Sequence, residues 1–153
     1  MGDDETKRKK IKYNDDLIHQ SKLIKYFDGD YDKSKIEKDL NNYLKKIKKN
    51  KKYVISKKDI IVIESLKSDG IKIDKKYSNL YEILDSEIPT DIQVMINNNE
   101  TASAILRIVE VIGQDNLEFL DEDTLFFIIS ALNQLNIDVI RNNILLKVLP
   151  LKV

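Results

Sequence analysis

The sequence predicts an all-α protein, built as an irregular array of short antiparallel helices. Three observations predict it: apolar residues recur about once per helical turn, helix-starting residues precede several of these stretches, and Gly or Pro follows them. The chain has 153 residues, 42% of them apolar, so it is long enough for one hydrophobic core. No apolar run approaches the ~20 residues needed to cross a bilayer, and we expect no membrane span.

The net charge is zero, but basic residues predominate in the first half of the chain and acidic residues in the second half. Residues 1–76 contain 22 Lys and Arg against 14 Asp and Glu, whereas residues 77–153 contain 4 against 12. Such a division favours an anionic partner, docking of the halves on each other, or head-to-tail association. With 23 Lys, 3 Arg, 23 Ile and 13 Asn, the composition also indicates a bacterium with a low-GC genome. Part of the lysine excess therefore reflects codon usage.

Composition and periodicity divide the chain into four stretches. Residues 1–12 are charged and aperiodic, and we expect a disordered tail. Residues 13–76 are predicted to form a basic helical region, residues 77–100 a connector with short helices, and residues 101–153 a three-helix unit. We expect residues 13–153 to form one continuous domain.

The sequence favours a cytoplasmic location, if Met1 is the true start. The first ten residues lack the apolar core of a signal peptide. The chain has no cysteine, so it can form no disulfide, thiol nucleophile or Cys-based metal site.

Helix-start signals predict the first three helices. Asn14 is predicted to cap a short helix that ends near residue 28, and residues 34–37 match a capping box. One apolar stripe follows that box, consisting of Ile36, Leu40, Tyr43, Leu44 and Ile47. Ser56 and Asp59 repeat the cap signature before residues 60–63, a β-branched run that fits either a helix or a buried strand. The cap and Gly70 favour the helix.

The last third of the chain carries the strongest helical pattern. After an irregular stretch with a helical turn around residues 80–84, a short helix is predicted to start near Pro89. Three amphipathic helices follow; Asp121 and Asp138 are predicted to cap the second and third. Each is too short to be stable alone, so we expect their apolar stripes to pack together. Antiparallel pairs of this kind resemble the end of an α-solenoid.

Several stretches together resemble the C-terminal region of an uncharacterised family of helical, solenoid-like proteins from alphaproteobacteria. They are residues 60–70, 88–98, 130–135 and 145–151, and the similarity extends from about residue 14 to the end. Members of that group are longer, which implies that this chain corresponds to a terminal portion. The resemblance implies a helical module and carries no activity, substrate or cofactor.

Two groups of residues resemble a calcium-binding loop and a general-base pair, but neither gives a specific indication of such a site. Asp28, Asp30 and Asp32 have the spacing of a calcium loop, but Lys33 stands where that loop needs Gly, and Asp39 replaces its bidentate Glu. We therefore expect a helix-to-helix turn. His19, one turn after Asp15, has the spacing of a general base and its orienting carboxylate, and equally that of an ordinary exposed helix pair. We predict no catalytic residue, metal or cofactor, and no small-molecule substrate is evident.

A lysine-rich segment is the best candidate for binding anions. It could meet phosphates without reading sequence, and Tyr43 or Tyr53 could stack on a base. Against nucleic acid, arginine is nearly absent, and Tyr43 belongs to an apolar stripe. The candidate residues are Lys45, Lys46, Lys48, Lys49, Lys51, Lys52, Lys57 and Lys58.

Phe126 and Phe127 are the candidate contacts for a protein partner. Neighbours on a helix point about 100° apart, so both cannot face one core. We expect one of them to be exposed, and to meet either another helix layer or a partner. With abundant helix-packing surface and no site chemistry, the sequence favours a non-enzymatic interaction or scaffold module whose partner is another protein. The alternative is a binder of nucleic acid or another anionic surface through residues 45–58.

Overall fold

The computed structural model describes residues 11–82, 88–113 and 116–152, and these residues confirm the all-α class. The described residues also contain four 3-10 helices, two before the first α-helix and two between later α-helices: Ile18–Gln20, Lys22–Asp28, Lys75–Leu80 and Leu117–Phe119. Two short strands, β1 (Ile11–Lys12) and β2 (Leu151–Lys152), pair antiparallel. The α-helices in the described residues are α1 (Lys33–Lys49), α2 (Lys57–Ser68), α3 (Thr90–Asn97), α4 (Thr101–Ile112), α5 (Glu122–Gln134) and α6 (Asp138–Val148).

The segment before α1 differs from the prediction. The disordered tail was predicted to reach residue 12, but Ile11 and Lys12 form β1, while residues 1–10 lie outside the described residues. The helix predicted after Asn14 is replaced by two 3-10 helices. The reason is tertiary: the backbone N–H of Ile18 donates to the Tyr53 hydroxyl and that of His19 to Asp59, instead of to carbonyls one turn earlier.

Helix α1 forms as predicted, but the capping box at its start does not. The helix begins at Lys33, with Asp32 as N-cap residue and no side-chain capping bond. Ser34 therefore lies inside the first turn, and the Glu37 carboxylate accepts from the backbone N–H of Lys72 at 2.7 Å. The apolar stripe is confirmed at Ile36, Leu40, Leu44 and Ile47, which are buried; Tyr43 is half-buried.

The β-branched run lies in a helix, α2, as the capping pattern predicted. Ser56 and Asp59 form a complete capping box, in which each side chain accepts from the other residue's backbone N–H. Gly70 ends this helix region with a left-handed φ of +90°. Residues 60–63 are all buried because other elements cover α2 on several sides, which explains why the run lacks a polar face.

The helices combine antiparallel and parallel packing. Contacts between Asp91 and Arg107 show that α3 and α4 form an antiparallel hairpin. The largest contact in the fold, between α2 and α5, is parallel: Lys57 meets Asp123 near the two N-termini, and Ser65 meets Asn133 near the two C-termini. Similarity to the end of an α-solenoid therefore stays a prediction.

Other predicted boundaries are partly confirmed. Asp121 caps α5 by accepting from the N–H of Thr124 at 2.7 Å. Asp138 is the first residue of α6 instead of its cap. The 3-10 helix Lys75–Leu80 ends where the turn predicted around residues 80–84 begins, and residues 83–87 lie outside the described residues. Within the described ranges, no helix has the length and apolar character to cross a membrane.

Candidate functional site

Six of the eight candidate lysines are exposed, at the end of α1 and in the turn that follows. Lys48 donates to the carbonyl of Lys76 and lies over the Tyr77 ring. Lys57 and Lys58, at the start of α2, are only half-exposed, and Lys57 forms an ion pair with Asp123. The eight lysines are therefore not one uniform surface. The six exposed ones are Lys45, Lys46, Lys48, Lys49, Lys51 and Lys52.

Two of these lysines, Lys48 and Lys51, border a cleft of about 520 Å³ that we call the basic cleft. Its walls are mostly apolar, and none of the described residues that line it is acidic. Val54, in its lining, is 84% exposed. Isolated exposed apolar residues are common, but this one continues a concave apolar surface. The lining residues are Ile47, Lys48, Asn50, Lys51, Tyr53, Val54, Ile55, Ile60, Asn79 and Leu80.

A second cleft, of about 700 Å³, shares Ile47, Asn50 and Tyr53 with the basic cleft. Three lysines line it, but so do three carboxylates. Their charges oppose the approach of a phosphate, so this cleft is the weaker anion site. The charged lining residues are Asp15, Asp16, Lys22, Asp39, Lys46 and Lys52.

The two tyrosines predicted to stack on bases are engaged within the fold. The Tyr43 hydroxyl donates to Asp15 at 3.2 Å, and burial together with the Asp15 charge raises the pKa of Tyr43 to about 12. The Tyr53 hydroxyl donates to Asp59 at 3.0 Å and accepts from the backbone N–H of Ile18. Both hydroxyls position the segment before α1, and both rings are half-buried.

The spacing of His19 and Asp15 predicted that these two residues pair, but they do not. His19 is buried against Asp59 instead. Its Nδ1 lies 2.6 Å from Asp59 Oδ1. Burial acts to raise the pKa of Asp59, but hydrogen bonds from His19 and Ser56 outweigh it and hold that pKa below its ordinary value. No local sequence pattern could predict this pair, because its members are 40 residues apart.

The same pair does not form a nucleophilic triad with Ser56. The Ser56 hydroxyl lies 3.5 Å from Nδ1, the nitrogen that already faces Asp59. A triad needs the nucleophile on one ring nitrogen and the carboxylate on the other. Within the part of the chain that the structure describes, no three His, Cys, Asp or Glu residues converge as a metal site. Of the calcium-like carboxylates, Asp39 accepts from the Tyr31 hydroxyl, and Asp32 is the N-cap residue of α1 without a side-chain capping bond.

The prediction that Phe126 or Phe127 is exposed is wrong. Their exposed fractions are 6% and 8%, and both belong to the hydrophobic core. Helix α5 packs against α2, α3 and α6, so side chains 100° apart can both meet protein. Neither ring is free to anchor a partner.

The exposed aromatic residue that the sequence analysis missed is Phe119. It is 81% exposed in the 3-10 helix before α5, while its neighbours Leu117 and Leu120 pack against the core. The signal was present in the sequence, since Phe119 lies among acidic residues and outside any apolar stripe. Its exposed acidic neighbours are Glu118, Asp121, Glu122 and Asp123.

Comparisons with known proteins give no relative: no family model, curated protein or solved structure matches this chain.

Proposed function

We propose that this protein is a non-enzymatic helical interaction module whose basic cleft binds an acidic segment of another protein. The observation that supports the proposal most directly is one concave surface with apolar walls, lysines at its edge and no carboxylate among its described lining residues. An acidic segment with an aliphatic or aromatic side chain matches both the charge and the apolar surface.

The apolar walls of the basic cleft and its two lysines have different physical roles. Burying one apolar side chain in the cleft is worth roughly 1.5–3 kcal/mol. Exposed ion pairs contribute less, typically below about 1 kcal/mol each, but positive charge increases the rate of encounter and fixes the orientation of an acidic partner. We therefore assign affinity to the apolar walls and selectivity for acidic partners to Lys48 and Lys51.

The second candidate function is binding of nucleic acid or another anionic surface through residues 45–58. Its support is the set of six exposed lysines, which would bind phosphates without reading sequence. The engaged hydroxyls of Tyr43 and Tyr53 and the carboxylates of the second cleft disfavour it.

As part of the main proposal, we also place the module in the cytoplasm of a low-GC bacterium and keep the alphaproteobacterial resemblance as a hypothesis about its origin.

Two charge-reversal pairs in the same lysine-rich segment separate these functions. Lys48→Glu/Lys51→Glu changes the basic cleft, whereas Lys45→Glu/Lys49→Glu changes net charge equally at residues that do not line it. The probe is a short labelled peptide that alternates acidic residues with Leu and Phe, measured by fluorescence anisotropy. We expect the first pair to weaken binding at least about tenfold and the second pair to change it little.

Two comparison probes complete the experiment: the same peptide with Ser in place of Leu and Phe, and a short poly(dT) strand. The proposal predicts weak binding of both. Equal losses from the two lysine pairs, or equal binding of the Ser peptide, would contradict the cleft. Tight, salt-dependent binding of poly(dT) would support the anion binder instead.

A further inference from the structure

The two most exposed large apolar side chains of the described residues lie in segments of opposite charge. Val54 belongs to the basic cleft, with Lys48, Lys51 and Lys52 exposed around it. Phe119 is surrounded by the acidic residues given above. Each segment thus has an exposed apolar side chain, and the charges around the two side chains are opposite.

The Phe119 segment is held in a defined conformation. The Asn116 side chain accepts from the N–H of Glu118, and Asp121 caps the helix that follows. Leu117 and Leu120 pack against the core on either side of the exposed ring. Because the backbone is already ordered, binding through Phe119 would lose little conformational entropy.

Both segments lie close in sequence to one ion pair that joins two helix starts. The ion pair between Lys57 and Asp123 joins the start of α2, three residues after Val54, to the start of α5, four residues after Phe119. When two copies are related by a two-fold axis, the basic segment of each copy can contact the acidic segment of the other. Such a pair of contacts closes as a dimer.

We propose that the partner of the basic cleft is a second copy of this chain, whose Phe119 enters the cleft while the first copy's Phe119 enters the other. This inference rests on the proposed function, since it names the acidic segment that the cleft binds. The dimer contains two equivalent contacts, each centred on one aromatic side chain. Because these contacts are small compared with a standard interface, we expect association at roughly 10–500 μM protein.

Sedimentation equilibrium of the full chain over a wide concentration range tests the inference. We expect a reversible dimer that weakens in about 1 M salt, where the Debye length is about 3 Å. Phe119→Ser removes both apolar contacts and should weaken dimerisation about a hundredfold, roughly tenfold per contact. Leu106→Ser, at a residue 64% exposed on α4, is the matched control and should leave the dimer unchanged.

A mixing experiment distinguishes loss of the contact between Phe119 and the basic cleft from a general effect of the substitutions on folding. Phe119→Ser keeps an intact cleft, and Lys48→Glu/Lys51→Glu keeps an intact Phe119, so a mixed dimer has one complete contact. Either change is expected to abolish the contact that it touches, so each variant alone loses two contacts and the mixed dimer loses one. We therefore expect the mixture to dimerise at least about fivefold more tightly than either variant alone. A dimer unaffected by Phe119→Ser, or a mixture no tighter than its components, would overturn the inference. A monomeric chain that still binds the acidic peptide would overturn it too, while leaving the proposed function standing.

Discussion

At the residue scale, one buried arginine connects distant parts of the chain. Arg141, in α6, is 1% exposed, and its guanidinium binds both carboxylate oxygens of Asp69 at 2.8 and 2.7 Å. It also binds Asn133, Asn142 and the carbonyl of Ser65. The residues it joins are up to 76 positions away, so no local pattern in the sequence could identify this network.

Arg141→Ala should therefore destabilise the fold strongly, by about 3–5 kcal/mol, because it leaves the Asp69 carboxylate without its principal partner. Arg107→Ala is the control: Arg107 pairs with Asp91 and Glu110 on the exposed surface, and water replaces such partners readily. Urea unfolding measures both variants. Equal shifts of the two unfolding midpoints would show that the Arg141 network adds nothing beyond a surface pair.

The carboxylates of Asp59 and Asp69 should make stability fall in acid. Burial acts to raise the pKa of each, but hydrogen bonds from His19 and Arg141, respectively, outweigh it, so both pKa values lie below the ordinary carboxyl value. A lowered folded-state pKa stabilises the fold above the unfolded pKa of about 3.9, and this contribution is lost as the pH falls through the folded pKa.

Asp59→Asn tests that titration directly, because the amide cannot take up the proton. We expect the variant to be less stable at neutral pH, and its unfolding free energy to decline less steeply below about pH 4 than that of the natural sequence. The measurement is urea unfolding at a series of pH values. Parallel declines in the two proteins would exclude Asp59 as a source of the acid sensitivity.

At the element scale, the same sequence pattern had two outcomes. Residues 34–37 and residues 56–59 both fit a capping box, but only the second forms one. At the first, Asp32 is the N-cap residue and Glu37 binds the backbone of Lys72, a tertiary contact that local sequence does not encode. Apolar periodicity predicted α1, α4, α5 and α6, whereas α2 was predicted from its cap and Gly70, and the segment after Asn14 forms 3-10 helices instead of an α-helix. Helix starts depended on partners elsewhere in the fold.

Paired serine substitutions should show this difference. Ser56→Ala removes the oxygen that accepts from the N–H of Asp59 and should destabilise the fold by about 1 kcal/mol. Ser34→Ala, inside the first turn of α1, should be neutral or slightly stabilising because Ala has the higher helix propensity. Thermal unfolding of the two variants measures both effects; a larger loss from Ser34→Ala would contradict the observed start of α1.

At the scale of the whole molecule, the division into a basic and an acidic half could be predicted from the sequence, but the shape of the clefts that the lysines border could not. The lysine run was identified from the sequence. Its division into an apolar-walled basic cleft and a second cleft with three carboxylates depends on residues 15–22 and 79–80 folding against α1. Likewise, Phe126 and Phe127 are buried by helices from three parts of the chain. Periodicity shows which residues are apolar, while tertiary packing decides which of them remain exposed.

The measurement that tests the proposed function most directly is NMR titration of the 15N-labelled protein with the acidic Leu/Phe peptide. We expect the largest amide shifts at residues of the basic cleft, centred on Lys48, Lys51, Val54 and Leu80, and small shifts at Lys45 and Lys49. Shifts spread evenly over residues 45–58, or no shifts at millimolar peptide, would contradict the assignment of this cleft as the binding site.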